Sequence, residues 1–594
     1  MSKFPFLLSV AFVFIFSNSG WSRSNQIELK LKQPIEDSIK VKGENRYSLK
    51  MEESQTAIVR LKRGSFELNE EINLLLTVFS PDGKIIDEIN TASDASFIIF
   101  NSEKKGDYEI IVRRWNGAAQ GSYSIFLDYL QDRLESPTEQ IDQLLSHFYG
   151  DNRPGASIRL SKGDEEIYSG DFGLANLESG QPITNDTRFD IASVSKQIAA
   201  YSIALLAVRG ELDINRNIRE YIPELPEYGN NISSLILVLN LSGIRDYDQV
   251  LALSGYDEEE GDRVNSQRVL NSILVHEDTY FQPGTDYRYS NAGYFLITEI
   301  VARVTGQSYA SWVKENIFEP LEMTNTYVRE ETSKTQVNGS DSYKKDGLYD
   351  DISVTKDIYN EQPKNLEIFT VQSTSEDYAK WLKNYATGEL GGAPVLELIE
   401  TGIHDDPDSW NWAFGFQKTK YRDKPQKLST GIIQGYRTHA SYFPEEDLSL
   451  VYFANDGEWR TFYLANKILD IALETEPLAG EWESSYSADN DTFSSQDEES
   501  VDSNLSISKE IQGVYLNSNL SQTLEIKMIE DELIIKRFGY EPLVLDQVSE
   551  NEFKSEKWYM SRIEFIEENQ SSQASCKLYS SRTGDFIEFR KLKE

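Results

Sequence analysis

At 594 residues the chain is too long for one hydrophobic core and implies three or four domains. Its 98 Asp and Glu against 59 Lys and Arg give a formal net charge of −39, and so acidic a surface repels phosphate backbones, which excludes nucleic acid as a partner class. A single cysteine, Cys576, rules out an intrachain disulfide, and four scattered histidines (His147, His276, His404, His439) without Cys/His spacing argue against zinc, so no metal or cofactor is expected.

The N-terminus carries Lys3, an apolar run over 4–16, then small and polar residues including Ser17, Ser19, Gly20 and Ser22. That is the pattern of a secretory signal peptide over 1–22, which predicts a periplasmic or secreted protein. Thirteen residues are short for a membrane span, and no other run approaches that length, so no membrane association is expected once the signal is removed.

Residues 25–131 read as short strands separated by turns. Ile27, Leu29 and Leu31 alternate with polar residues, and Ser80-Pro81-Asp82-Gly83 is a turn between β-rich runs at 72–79 and 84–90. Gly106-Asp107-Tyr108 and Gly121-Ser122-Tyr123 open two further runs. A β-sandwich is the expected form. With its paired Gly-x-Tyr strands the stretch resembles the bacterial pre-peptidase C-terminal domain, a small accessory sandwich of secreted hydrolases.

A helix start follows, with Ser136 as N-cap, Pro137 in the first turn and Glu139 completing a capping box; Ile141, Leu144, Leu145 and Phe148 make its apolar face. Strands are predicted at 156–160 and 166–172, around Gly163-Asp164. Phe189-Asp190-Ile191-Ala192-Ser193-Val194-Ser195-Lys196 then opens a helix running to about Arg209, with Gly210 as its stop. A second helix follows Tyr289-Ser290-Asn291 and closes at Gly306; a third covers 311–318, with Lys314 on its surface. Strands return at 413–419, 427–433, 438–443 and 448–454, and a helix at 459–473 closes the domain. Helix and strands, a helical insert, then strands and helix describe a single antiparallel sheet flanked by helices. Residues 484–508, rich in Ser, Asp and Glu, read as an acidic linker, and 510–594 as a small all-β barrel or sandwich.

Three stretches carry chemistry. Ser193 and Lys196 are three apart, so a helix puts them on one face, where a lysine amine can take the proton that makes a serine a poor nucleophile. The serine's own N–H, at a helix start, can face a developing oxyanion. Ser-x-x-Lys alone is weak, since Ser102/Lys105, Ser311/Lys314 and Ser506/Lys509 share it. Tyr289-x-Asn291 adds a phenol able to accept or return a proton and an amide able to hold Lys196 and a substrate carbonyl. Ser429-Thr430-Gly431 lies on a strand whose edge can align an extended substrate, with the Ile432 N–H as second oxyanion donor.

In this order, with Asn240-Leu241-Ser242-Gly243, Asp246-Tyr247, Pro283-Gly284, the run 316–323 (Asn-Ile-Phe-Glu-Pro-Leu-Glu-Met) and Gly435-Tyr436-Arg437, these residues resemble the serine β-lactamase and penicillin-recognising family, in the branch of class C β-lactamases, D-aminopeptidases and related esterases. The resemblance covers about 135–476 and implies a β-lactamase-like α+β domain between all-β N- and C-terminal domains, the last similar to the lipocalin-like domain some members carry. It implies that Ser193 is the acylated nucleophile, Lys196 its base and Tyr289 the partner in proton transfer, with Asn291, Ser429, Thr430, Gly431 and Ile432 binding substrate. Two positions depart from the family pattern: Asn240 stands where the family has His, and Ser429 where it has Lys or His. Loss of that cation predicts weak binding of carboxylate-bearing substrates, and slower turnover or an alkaline-shifted optimum. Lys427, two residues earlier on the same strand face, is the expected substitute.

The leading expectation is an exported serine hydrolase acting through an acyl-enzyme on small esters or amides. Alternatives are a D-amino-acid-directed peptidase or β-lactam hydrolase, and a non-catalytic binding protein on the same scaffold. The expected partner is a small ester, amide or peptide substrate; the oligomeric state is open.

Overall fold

The computed structural model describes residues 27–592 apart from 40–42, 67–73, 91–96, 115–120, 151, 255–264, 330–337, 346–353, 357–369, 405–410, 459, 475–510, 519, 521, 530–531, 538–542, 550, 556, 567–572 and 582–585. The expected signal peptide, the acidic linker and the Ser506/Lys509 pair lie outside the described residues. The chain divides into two compact units, 1–133 and 134–594.

The first unit is a two-sheet β structure. One sheet has five strands, including Glu44–Met51, Gly106–Arg114 and Leu74–Phe79 as neighbours; the other has four, with Gly121–Asp132 between Ile35–Ile39 and Gln55–Phe66. Apolar side chains at alternate positions, such as Leu74, Leu76 and Val78, are fully buried, as a half-covered sheet requires. A polar tie crosses between the sheets: Tyr47 donates to Asp37 at 2.6 Å, and its hydroxyl lies 2.6 Å from that of Tyr123.

The second unit is built on a seven-stranded antiparallel sheet in the order Glu165–Phe172, Ala156–Lys162, Leu448–Ala454, Tyr436–Phe443, Lys424–Ile433, Gln417–Tyr421, Asn411–Trp412. The strand Leu448–Ala454 is buried along its whole length. Alternation sends its side chains to opposite faces. Tyr452 meets Tyr149, beside the helix Pro137–Phe148, while Phe453 meets Tyr378 of Ser375–Thr387 and Phe189. Helices therefore cover both faces, the arrangement expected for this domain. Arg460–Ala472 packs beside Pro137–Phe148.

Two local expectations differ. Ser136 does not cap its helix; its hydroxyl pairs with that of Thr138 at 2.8 Å, and Gln140 instead reaches back to the Leu134 carbonyl. The strand expected at 413–419 is interrupted, because Ala413–Phe416 turns away with Gly415 at φ 83°. A Cβ on Gly415 would stand 2.5 Å from the Lys196 carbonyl oxygen, so only glycine lets this loop seat against the Lys196 helix.

After the helix Arg460–Ala472 and the undescribed 475–510, eight strands from Gly513–Asn517 to Phe586–Lys591 close into an antiparallel barrel. Leu524, Ile526, Phe553, Ile563, Cys576 and Leu578 are among its fully buried residues.

Candidate active site

Ser193 sits in a short 3-10 turn, Ala192–Ser195, that runs into the helix Lys196–Val208. Ala192 has φ 50°, a left-handed conformation that costs a residue with a Cβ about 1–3 kcal/mol. The surroundings hold it there. Asp190 accepts from the Ala192 N–H at 2.8 Å and from Gln372 at 2.8 Å, Ser195 accepts from the Val371 N–H at 2.8 Å, and Thr438 donates to the Ile191 carbonyl at 2.9 Å. Gly431 completes the clamp: a Cβ there would lie 2.5 Å from the Ile191 oxygen and 2.3 Å from the Thr438 hydroxyl. The strand can thus press its backbone against the Ser193 turn.

Lys196 is buried, and its Nζ donates to Asn291 Oδ1 at 2.8 Å and to Ser193 Oγ at 3.2 Å. Its ammonium lies 4.7 Å from the Tyr289 ring centroid and 5.5 Å from that of Tyr294, an arrangement that stabilises a cation. Tyr289 donates to Ser193 Oγ at 2.7 Å, and its ring is steadied edge-on against Trp412 at 5.6 Å. Hydroxyl, amine, phenol and amide from positions 193, 196, 289 and 291 are therefore in one hydrogen-bonded cluster, and Ser193 keeps solvent access.

The Tyr289 loop is fastened by the segment that departs from the family's histidine. Asn240, at φ 57°, accepts from the Arg288 N–H through its carbonyl at 3.0 Å and from the Ser290 N–H through its side chain at 3.2 Å. Asparagine tolerates the left-handed conformation better than most residues. Leu241 and Gly243 accept from the N–H groups of Gly284 and Tyr280, both at 2.8 Å. Asn240 thus has a structural task in holding the loop that carries the phenol.

Asp246 was visible in the sequence only as part of a motif. Its Oδ1 accepts from the Ala292 N–H at 2.8 Å, in the first turn of the helix Asn291–Thr305 that presents Asn291 to Lys196; Ser290 caps the same helix by accepting from Gly293. Burial pushes the Asp246 carboxyl up to about 6, against the pull of the Ala292 N–H and of the Lys196 charge.

The third stretch is the strand Lys424–Ile433. It turns back through Gln434-Gly435 to pair Ile433 with Tyr436 and Gly431 with Thr438. Closing pairs of two-residue hairpins are hydrogen-bonded and the pattern alternates, so the N–H and C=O of Thr430 and Ile432 point away from that partner. On their side the neighbouring strand pairs only as far as Leu428. An open backbone edge therefore runs beside the Ser193 turn, with the Ile432 N–H on it. Ser429 is nearly buried on the face shared with Gly431.

Lys427 is placed otherwise than expected. Its ammonium pairs with Glu400 and lies among the rings of Tyr385, Phe416 and Tyr442 at 5.3, 5.5 and 5.9 Å. No hydrogen bond joins it to Ser193, Lys196 or Tyr289 among the described residues. Strand alternation gave its face correctly; the carboxylate that captures it comes from beyond the helix Gly392–Ile399. Among the described residues, no cluster of three or more His, Cys, Asp or Glu is arranged to hold a metal, and no helix is long and apolar enough to cross a membrane.

The model of the Beta-lactamase family matches residues 141–473, more than half of the chain. A D-aminopeptidase of Gluconobacter oxydans (strain 621H) is 27% identical over 332 residues, 55% of this chain and 59% of that protein. Penicillin-binding protein 4* of Bacillus subtilis (strain 168) is 24% identical over 315 residues, 51% of this chain and 68% of that one. The chain thus spans about three fifths of the first of these relatives. Among solved structures, the octameric penicillin-binding protein homologue of Pyrococcus abyssi aligns at 20% identity and a TM-score of 0.48, over 74% of this chain and 96% of that one. With the family's model laid over the whole domain that carries the Ser193 cluster, the chain belongs to the Beta-lactamase family of serine hydrolases.

Proposed function

We propose that the protein is an exported serine hydrolase that forms an acyl-enzyme on Ser193 with small esters or amides. The observation that carries this reading is a half-buried serine whose Oγ has Tyr289 OH at 2.7 Å and Lys196 Nζ at 3.2 Å. Either group is within proton-transfer reach. As Ser193 Oγ attacks the substrate carbonyl carbon, its proton passes to the Lys196–Tyr289 pair in the state that holds one proton fewer than ammonium plus phenol, so that a neutral Lys196 amine or a Tyr289 phenolate takes it. The oxyanion is met by the N–H groups of Ser193 and Ile432. Tyr289 returns the proton to the leaving alcohol or amine as the C–O or C–N bond breaks. Water then attacks the Ser193 ester, and the same pair accepts its proton and restores the serine.

The open edge at Thr430 and Ile432 suits an acyl group carried on an extended, peptide-like chain, which would add as a strand. That favours a second reading, a D-amino-acid-directed peptidase or β-lactam hydrolase, in keeping with the names of the two relatives. Against it stands Ser429, an uncharged residue at the position where the family carries a cation, while Lys427, the expected substitute, pairs with Glu400. Small uncharged acyl substrates are the better fit. The N-terminal run over 1–22 supports export, and sequencing the mature N-terminus tests it.

Labelling with a fluorophosphonate and, separately, with a penicillin, read by intact mass, divides the readings. Adduct on Ser193 from the fluorophosphonate alone supports the ester or amide hydrolase. A penicillin adduct or its turnover supports the second reading. Adduct from neither leaves a binding protein and overturns both.

A further inference from the structure

The short helix Asp248–Leu253 begins two residues after Asp246 and faces two cores at once. Tyr247 and Leu251, one turn apart, are buried in the hydrolase core. Val250 and Leu253 are buried instead in the core of the C-terminal barrel, with Tyr515, Leu524, Phe553 and Leu578. The polar groups follow the same division. Gln249, 3% exposed, donates to the carbonyls of Tyr559 and Leu578 in the barrel, at 2.9 and 2.8 Å. In the other direction Arg537 of the barrel, 7% exposed, donates to the carbonyls of Ala252 and Leu253, both at 3.2 Å. Both carbonyls belong to the last turn of the helix, where a guanidinium is a well-suited donor. Tyr559 fixes the guanidinium by accepting from its other nitrogen at 2.8 Å. Next to Asp246, Arg245 lies 6.0 Å from the ring of Phe586, also in the barrel.

We infer that the C-terminal barrel is part of the catalytic apparatus: through Arg537 and Gln249 it holds the helix Asp248–Leu253, and so fixes the Asp246 carboxylate under the helix that presents Asn291 to Lys196. Arg537 and Gln249 are positioning residues; neither touches substrate. The path is contiguous. Arg537 fixes the helix end, the helix continues from Tyr247, Asp246 accepts from the Ala292 N–H at 2.8 Å, and Asn291 accepts from Lys196 at 2.8 Å. The open edge at Thr430 and Ile432 lies on a different element, so loss of the anchor is expected to act on turnover and not on substrate binding.

The inference rests on the hydrolase reading, and the test separates the two. In the full chain, Arg537→Ala is expected to lower the rate of fluorophosphonate labelling of Ser193, and kcat on any ester found to turn over, about tenfold with KM held within about twofold. Arg537→Lys, which keeps a donor, recovers part of the loss. Arg562→Ala, on a partly exposed arginine of the same barrel paired with Glu552, leaves both rates unchanged. In a double-mutant cycle, Arg537→Ala and Asp246→Asn lose less together than the product of their separate losses. Should Arg537→Ala not fold, Gln249→Ala removes the opposite anchor and gives the same readouts. A folded Arg537→Ala or Gln249→Ala protein with wild-type labelling and kcat, or losses that multiply independently, overturns the role of the barrel. Failure of the wild-type chain to label overturns the hydrolase reading itself.

Discussion

Lys196 and Lys427 are both largely buried ammonium groups in the same domain, each set among aromatic rings. Their oxygen partners differ. Lys196 donates to an amide oxygen and to the hydroxyl of Ser193; Lys427 is held by the carboxylate of Glu400, which also pairs with Lys418 at 3.2 Å. A lysine that faces the hydroxyl of a half-buried serine is placed to trade a proton with it. A lysine clamped to a carboxylate in an aromatic cage is a structural ion pair. On the proposed mechanism one Lys is chemistry and the other is architecture, although sequence position puts both near the motifs of the candidate site.

The largest test of that contrast removes the proposed nucleophile. Ser193→Ala is expected to cost about 10⁴-fold or more in kcat/KM, measured on any ester the wild type hydrolyses. Lys196→Ala should fall nearly as far, because the cluster acts as a unit. Tyr289→Phe keeps the ring against Trp412 but removes the hydroxyl, and about 10²–10³-fold is expected, on kcat more than KM.

A smaller effect concerns Asp246 and pH. Its carboxyl sits near 6, raised by burial. Below that value it is protonated and no longer offers Lys196 a negative charge, so kcat/KM should drop on the acid side near pH 6. In Asp246→Asn that limb should vanish, with activity lower overall by about tenfold. The stability signs of Asp246 and Glu400 are opposite. The Asp246 value is raised, so its contribution is fullest below the ordinary carboxylate range and declines as pH rises through about 6. Burial pushes Glu400 up, but Lys427 and Lys418 more than offset this and its value ends lowered. Its contribution is present at neutral pH and is lost on acidification through that lowered value.

The smallest kinetic effect is at Lys427. Lys427→Ala should leave kcat/KM within about twofold and reduce stability by about 1–2 kcal/mol, discounted because the Glu400 side chain is 43% exposed and keeps Lys418. Urea titration and steady-state kinetics on one preparation check both. A large kinetic loss would restore Lys427 to the substrate site and erase the contrast.

How much of this was legible beforehand depends on range. Ser193 and Lys196 could be paired because three residues make one helical turn, and the Ser311/Lys314 decoy could be discounted because Trp312 and Val313 read as core and leave Lys314 on the surface, where the structure pairs it with Glu319. Tyr289 and Asn291 were found by their place between a Pro-Gly turn and a helix. What failed was tertiary. The rotamer of Lys427 depends on Glu400, from another element. The break at Gly415 depends on how close the Lys196 backbone comes. Asp246 was a letter in a motif until the Ala292 N–H appeared against it, and the two-faced helix Asp248–Leu253 has no signature until the barrel supplies the second core.

In the proposed mechanism Ser193 becomes acylated with the help of the Lys196–Tyr289 pair. The most direct measurement is to mix the protein with a p-nitrophenyl ester, quench in acid within the first turnover, and map the acyl group by peptide mass. One acyl group per chain is expected on Ser193, none in Ser193→Ala, and slow accumulation in Tyr289→Phe. Acylation at another residue, or acylation of Ser193 at an undiminished rate in Lys196→Ala and Tyr289→Phe, would contradict it.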